Sequence, residues 1–101
     1  MKIEKHYLSE MTLDEFTNKH NLVITINERE ESLDSPERYY AKIKHTESKE
    51  GNFLCGAYAN GRTPKEAIAN YATEISCKTL VVDAYEKTRK EIKVPRITSI
   101  F

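Results

Sequence analysis

The stretch GRTPKEAIANYATEI, residues 61–75, restricts the architecture more than any other part of the chain. Thr63 is a good helix N-cap, and Pro64 takes the first helical position, where its missing N–H costs nothing. Glu66 follows three residues after the cap, the capping-box spacing. Ala67, Ile68, Tyr71, Ala72 and Ile75 recur at helical intervals and make one apolar stripe. A helix apolar on a single face must cover something, and Ala67 and Ala72 keep that contact close. Gly61 is read as the turn that precedes the helix.

A second set of local signals lies in MTLDEF. Thr12 caps, Glu15 completes a capping box and Asp14 puts negative charge at the positive end of the helix dipole. Met11 and Phe16 have the spacing of a hydrophobic staple, and Asn21 is suited to the left-handed residue that ends a helix over 13–20. The segments between the two helices alternate with period two. LVITIN (22–27) sets Leu22, Ile24 and Ile26 on one face, and RYYAKIKHT (38–46) sets Tyr39, Ala41 and Ile43 against Tyr40, Lys42 and Lys44. ESKEGN reads as a turn. FLCGAYAN reads as a third strand interrupted at Gly56, where a bulge or a close backbone approach is expected. After the second helix, TLVVDAY and EIKV, separated by EKTRK and stopped by Pro95, predict a hairpin. The expected fold is α+β in the order α-β-β-β-α-β-β: an antiparallel sheet covered on one face by two helices. It forms a single domain over 1–101, with a core at about 12–77 and a hairpin at about 79–95.

The 16 basic side chains balance the 16 acidic ones, so no global field directs the chain to a polyanion or an anionic membrane. Charge is instead segregated. Residues 28–38 hold five carboxylates against two arginines, and residues 78–101 hold six cations against three carboxylates. The first residues, MKIEKHYLSEM, lack a long apolar run, which predicts neither a secretory signal nor a membrane span and leaves the cytoplasm as the expected location. Cys55 and Cys77 lack metal-ligand spacing and read as small, half-buried apolar residues. His6, His20 and His45 fall on different elements, with no carboxylate at triad or metal-ligand spacing. No serine elbow and no glycine-rich phosphate loop occurs. No catalytic residue, metal or cofactor is therefore expected.

The order of elements, with YYAKIKH, FLCGAYANG and TPKEAIANYATEI in place, resembles the double-stranded RNA-binding domain. In that family lysines at the start of the second helix bridge phosphates, and the loop between the first two strands enters a minor groove. The resemblance carries these roles to Lys65, flanked by Arg62, and to the loop from Glu28 to Glu37. YYAKIK followed by GRTPKEAIANYATEI is also similar to the HicB-like antitoxin domain, through Gly61, Thr63, Glu66 and Ala67. EISCKTLVVDAYEKTRKEIKVP resembles the C-terminal part of small accessory proteins of bacteriophages of Gram-positive bacteria.

Two functional readings follow. The first is a small non-enzymatic binding or regulatory protein, phage-derived, that acts through contacts with a protein partner. The alternative is a nucleic-acid-binding module using Tyr40, Lys42 and Lys44 on one strand face with Arg62 and Lys65 at the start of the second helix. The acidic loop, with Glu28, Glu30, Glu31, Asp34 and Glu37, is a candidate partner-binding segment, a polyanion mimic in its most specific form. No membrane contact is expected. A homodimer is expected through the C-terminal hairpin, because an isolated two-stranded ribbon needs a surface to dock on.

Overall fold

Both helices start and stop where their local chemistry dictates. In α1 (Leu13–His20) the Thr12 hydroxyl accepts from the Glu15 N–H at 3.1 Å, the Glu15 carboxylate accepts from the Thr12 N–H at 3.4 Å, and Asn21 closes the helix at φ 54°. In α2 (Pro64–Ile75) the Thr63 hydroxyl accepts from the Glu66 N–H at 3.0 Å. The computed structural model describes residues 10–29 and 37–101. Besides the helices these contain β1 (Glu10–Met11), β2 (Ile24–Glu28), β3 (Tyr39–Ile43), β4 (Thr46–Glu50), β5 (Phe53–Cys55), β6 (Ala59–Gly61), β7 (Thr79–Val82), β8 (Lys90–Lys93) and β9 (Arg96–Ile97). The class is α+β with a C-terminal hairpin, as the sequence predicts.

The strands between the helices are longer and more bent than the sequence predicts. β3 and β4 are two halves of one strand, turned at residues 44–45, where His45 adopts the left-handed φ of 61°. ESKEGN is therefore not a turn: its first four residues belong to β4, and only Gly51 and Asn52 make the connection, with Gly51 at φ 60° as a primed hairpin turn requires. The strand escapes detection because both its faces are polar. Thr46 and Ser48 point inward, where their hydroxyls donate to the carbonyls of Ile43 (2.8 Å) and Cys55 (3.4 Å), while Glu47 and Lys49 point outward. FLCGAYAN divides in the same way at residues 56–58. Its first half, β5, pairs with β4, and its second half, β6, pairs with β3. The result is a three-stranded antiparallel sheet, β2-β3-β6, and a four-stranded one, β5-β4-β7-β8, that share one bent ribbon.

Glycine roles differ from the expected ones. A Cβ on Gly56 would meet nothing within 4 Å, so no close approach fixes that residue. Gly61 is the close approach: a Cβ there would lie 2.7 Å from the Ala67 Cα and from the Glu66 carbonyl carbon, because the first turn of α2 rests directly on the end of β6. Its φ is one that any residue adopts, so steric clearance selects glycine here rather than turn geometry.

The core lies between the sheets and the two helices. Leu13 and Phe16 of α1, Ala67, Tyr71 and Ile75 of α2, and Ala41 and Ile43 of β3 are fully buried. The hairpin β7–β8 contributes Leu80, Val82 and Ile92 to the same cluster. Its pairing partner is β4 of its own chain, in the register Thr46↔Val82 to Lys49↔Thr79. The hairpin thus docks on a sheet of its own chain, and its outer strand β8 presents Lys90, Glu91 and Lys93, charges that discourage further pairing. At the ends of the described chain β1 and β9 pair in parallel, and the carbonyls of Ser99 and Ile100 accept the N–H groups of Leu13 and Asp14, both at 2.9 Å. Those two donors are otherwise orphans of the first turn of α1.

Two outcomes are expected from this packing. Gly61→Ala forces β6 and α2 apart and should cost about 1–3 kcal/mol, the range of an overpacked core, read as a lowered urea midpoint. An unchanged midpoint would mean that the helix start yields freely. Tyr71→Phe removes the hydroxyl that accepts from the buried Ile43 N–H at 3.1 Å; the stranded donor should cost about 1–3 kcal/mol. The loss should appear in the unfolding free energy without a change in its denaturant dependence.

Candidate functional site

The outward face of the three-stranded sheet carries the most organised group of polar and aromatic side chains. Alternation turns Ala41 and Ile43 inward and leaves Tyr40 and Lys42 outside, opposite Asn27 and Thr25 of β2. Arg29, just beyond β2, lays its guanidinium 4.9 Å from the centre of the Tyr40 ring. It also donates to the Asn60 side-chain oxygen on β6 and, at 3.0 Å, to the Glu37 carbonyl. Tyr58 meets Tyr40 edge to face, with centroids 6.2 Å apart, and is itself 52% exposed. Three segments thus hold one arginine and two tyrosines in fixed positions on a strand surface.

The nucleic-acid candidates from the sequence do not form one site. Tyr40 and Lys42 share the outward face, but the left-handed turn at His45 takes Lys44 off it. Lys42 lines a pocket of about 280 Å³ with Glu47, Asp83 and Glu86, whereas Lys44 lines the neighbouring cleft with His20 and Lys90; His45 and Asp83 are common to both. Arg62 and Lys65 are exposed at the start of α2, which packs on the inner face of the sheet and lies at the opposite end of β3 from Lys42. The β7–β8 connection does not reach them, since it runs beside His45. Among the acidic candidates, Glu28 pairs with Arg38 at 2.9 Å, Glu37 is exposed, and Glu30, Glu31 and Asp34 fall outside the described residues.

A second surface went unnoticed in the sequence because its residues come from four separate stretches. One groove of about 570 Å³ is lined by Lys19 and His20 at the end of α1, by Lys78, and by Lys93 and Arg96 around β8 and β9. A cleft of about 460 Å³, lined by Lys44, Asp83 and Lys90, adjoins it and shares His20 as a wall. Lys78 is held at 2.8 Å by Glu74, a hydrogen bond that raises its ammonium above the ordinary value, and Arg96 faces Glu10 at 3.8 Å. Lys19, Lys44 and Lys93 project without carboxylate partners among the described residues.

Both cysteines are exposed, a correction to the half-buried reading. Cys55 sits on the edge strand β5, and Cys77 sits in the left-handed turn after α2 at φ 63°. Cys55 lies opposite Ser48 of β4. Among the described residues no three His, Cys, Asp or Glu side chains converge on a point that would hold a metal ion, and no helix is long and apolar enough to cross a membrane. No protein-family model, curated protein or solved structure matches the chain.

His20 gives the basic surface a titration signature. Burial, with Lys19 and then Lys90 close by, lowers its pKa from the ordinary 6.5. The folded state therefore prefers the neutral ring, so this contribution to stability is complete above pH 6.5 and is lost as pH falls through the lowered folded value. His20→Gln should flatten the decline of stability on acidification through that window. A parallel decline in the variant and the parent would assign the pH dependence to other groups.

Proposed function

We propose that this is a non-enzymatic binding protein that engages a protein partner through the outward face of the three-stranded sheet. The carrying observation is the Arg29–Tyr40–Tyr58 cluster. Interfaces between proteins concentrate their binding energy in tyrosine, tryptophan and arginine side chains that are already ordered before contact. Here the arginine is fixed by three partners and Tyr58 remains half open to an incoming surface. The borders of the face carry carboxylates, Glu28 and Glu37 at one end and Glu47, Asp83 and Glu86 at the other. That mixed rim suits a protein surface and opposes a phosphate backbone.

The resemblance of the chain's later segments to phage accessory proteins directs the search for the partner to phage and bacterial host proteins, in the cytoplasm. Affinity capture with the full chain, compared with Tyr58→Ala and Tyr40→Ala, provides the test. Each tyrosine should behave as a hot spot, and its loss should weaken capture by about 30-fold or more, equivalent to about 2 kcal/mol. Arg62→Ala and Lys65→Ala should leave capture intact. A partner retained equally by both tyrosine variants would overturn this assignment.

A further inference from the structure

The grooves around His20 have a different composition from the tyrosine face. Together they are lined by six cationic side chains, Lys19, Lys44, Lys78, Lys90, Lys93 and Arg96, against one carboxylate, Asp83. Asp83 is occupied by the Thr88 hydroxyl at 2.9 Å. Three further carboxylates reach the rim, Glu74 and Glu50 on Lys78 and Glu10 on Arg96. Even with those counted, the six cations outnumber the four anions by two, within a protein whose 16 cations and 16 anions cancel. The concentration arises from topology: the end of α1, the bend at residues 44–45 and the strands β8 and β9 converge there.

The surface also lacks what a protein partner needs. Lysine is depleted at protein interfaces and aromatic anchors are enriched, whereas these grooves hold five lysines and, apart from imidazoles, no aromatic lining residue. Val23, 57% exposed, is the only large exposed hydrophobic residue among the lining. Without rings to stack on, bases gain no stacking contact there, and flexible ammonium groups act as point charges toward phosphate. We propose that this joined groove is a second binding site, which takes the sugar-phosphate backbone of a nucleic acid by charge alone, without regard to base sequence or strand number. It meets the border of the tyrosine face at His45 and Asp83, but it uses none of Arg29, Tyr40 and Tyr58 and does not depend on the function assigned there.

Fluorescence anisotropy with labelled 20-nucleotide single-stranded DNA and the matching duplexes of DNA and RNA, titrated from low salt upward, tests the site. With about four phosphates contacted, log affinity should fall with log salt at a slope near −3 for single strands and near −3.6 for duplexes. All three probes should bind within about tenfold of one another at low salt. The double variant Lys19→Gln/Lys93→Gln changes two exposed side chains with no carboxylate partner among the described residues, so the fold is expected to persist; it should flatten the duplex slope by about 1.8. Tyr40→Ala/Tyr58→Ala should leave the slope unchanged. Four results would overturn the proposal: no binding of any probe at low salt, a slope unaffected by the lysine variant, loss of binding with the tyrosine variant, or a preference for duplex RNA well beyond tenfold, which would indicate shape recognition. Equal affinity for poly-glutamate of matching length would overturn the assignment to nucleic acid.

Discussion

Tyr71 reaches from α2 through the core to accept a hydrogen bond from the Ile43 N–H, two residues before the ribbon turns at His45. Burial raises the phenol's pKa above 10.0, against the opposing effect of its hydrogen bonds to Ile43 and Thr46, so it remains neutral at that position. The bend needs such an anchor. At residue 43 the ladder of the three-stranded sheet ends, at residue 46 that of the four-stranded sheet begins, and the backbone between them must be satisfied elsewhere. Thr46 returns its hydroxyl to the Ile43 carbonyl, Lys44 donates to Val23 at 2.9 Å, and His45 accepts from Asp83 at 2.9 Å. Tyr71 thus fixes α2 to the point from which both sheets diverge, and the separation of the two candidate surfaces follows from the same bend.

That separation gives the molecule two faces of different chemistry. On the outward side of β3, arginine and tyrosine are locked by contacts from three segments. Around His20, lysines from distant stretches meet, and Lys19, Lys44 and Lys93 among them have no carboxylate partner among the described residues. The first arrangement has already lost much of its conformational entropy and favours a shaped partner. The second retains it and favours a ligand recognised by charge. A sheet running straight through residues 39–50 would have kept Lys44 beside Lys42 and merged the two.

Much of the fold is legible in the sequence where the signals are local. Thr12, Glu15 and Asn21 define α1 to the residue, and Thr63 with Pro64 does the same for the start of α2. Apolar alternation finds β2, β3 and β7. It cannot find β4, where Thr46 and Ser48 satisfy their hydroxyls against backbone carbonyls and so occupy core positions without apolar side chains. The bend escapes for a related reason, since histidine merely tolerates the left-handed region more often than most residues do, and the flanking sheets are what impose it at His45. Tyr40 and Lys42 were legible as an outward pair, but Arg29 and Tyr58 join them through long-range pairing. The basic groove draws on residues 19, 44, 78, 90, 93 and 96, a set that periodicity within any one window cannot assemble.

The docking of Ser99 and Ile100 on the first turn of α1 bears on how the chain folds. The contact joins residues separated by almost the whole described sequence, and such closures pay the largest loop entropy before any contact rewards them. α1 begins on the strength of its own capping box, yet two of its N–H groups find carbonyls only after β7, β8 and β9 are in place. During synthesis the helix therefore precedes its last acceptors by more than eighty residues. The parallel pairing of β1 with β9 then acts as a latch that closes at the end of folding, and it should be the first contact released when the two ends of the chain are pulled apart.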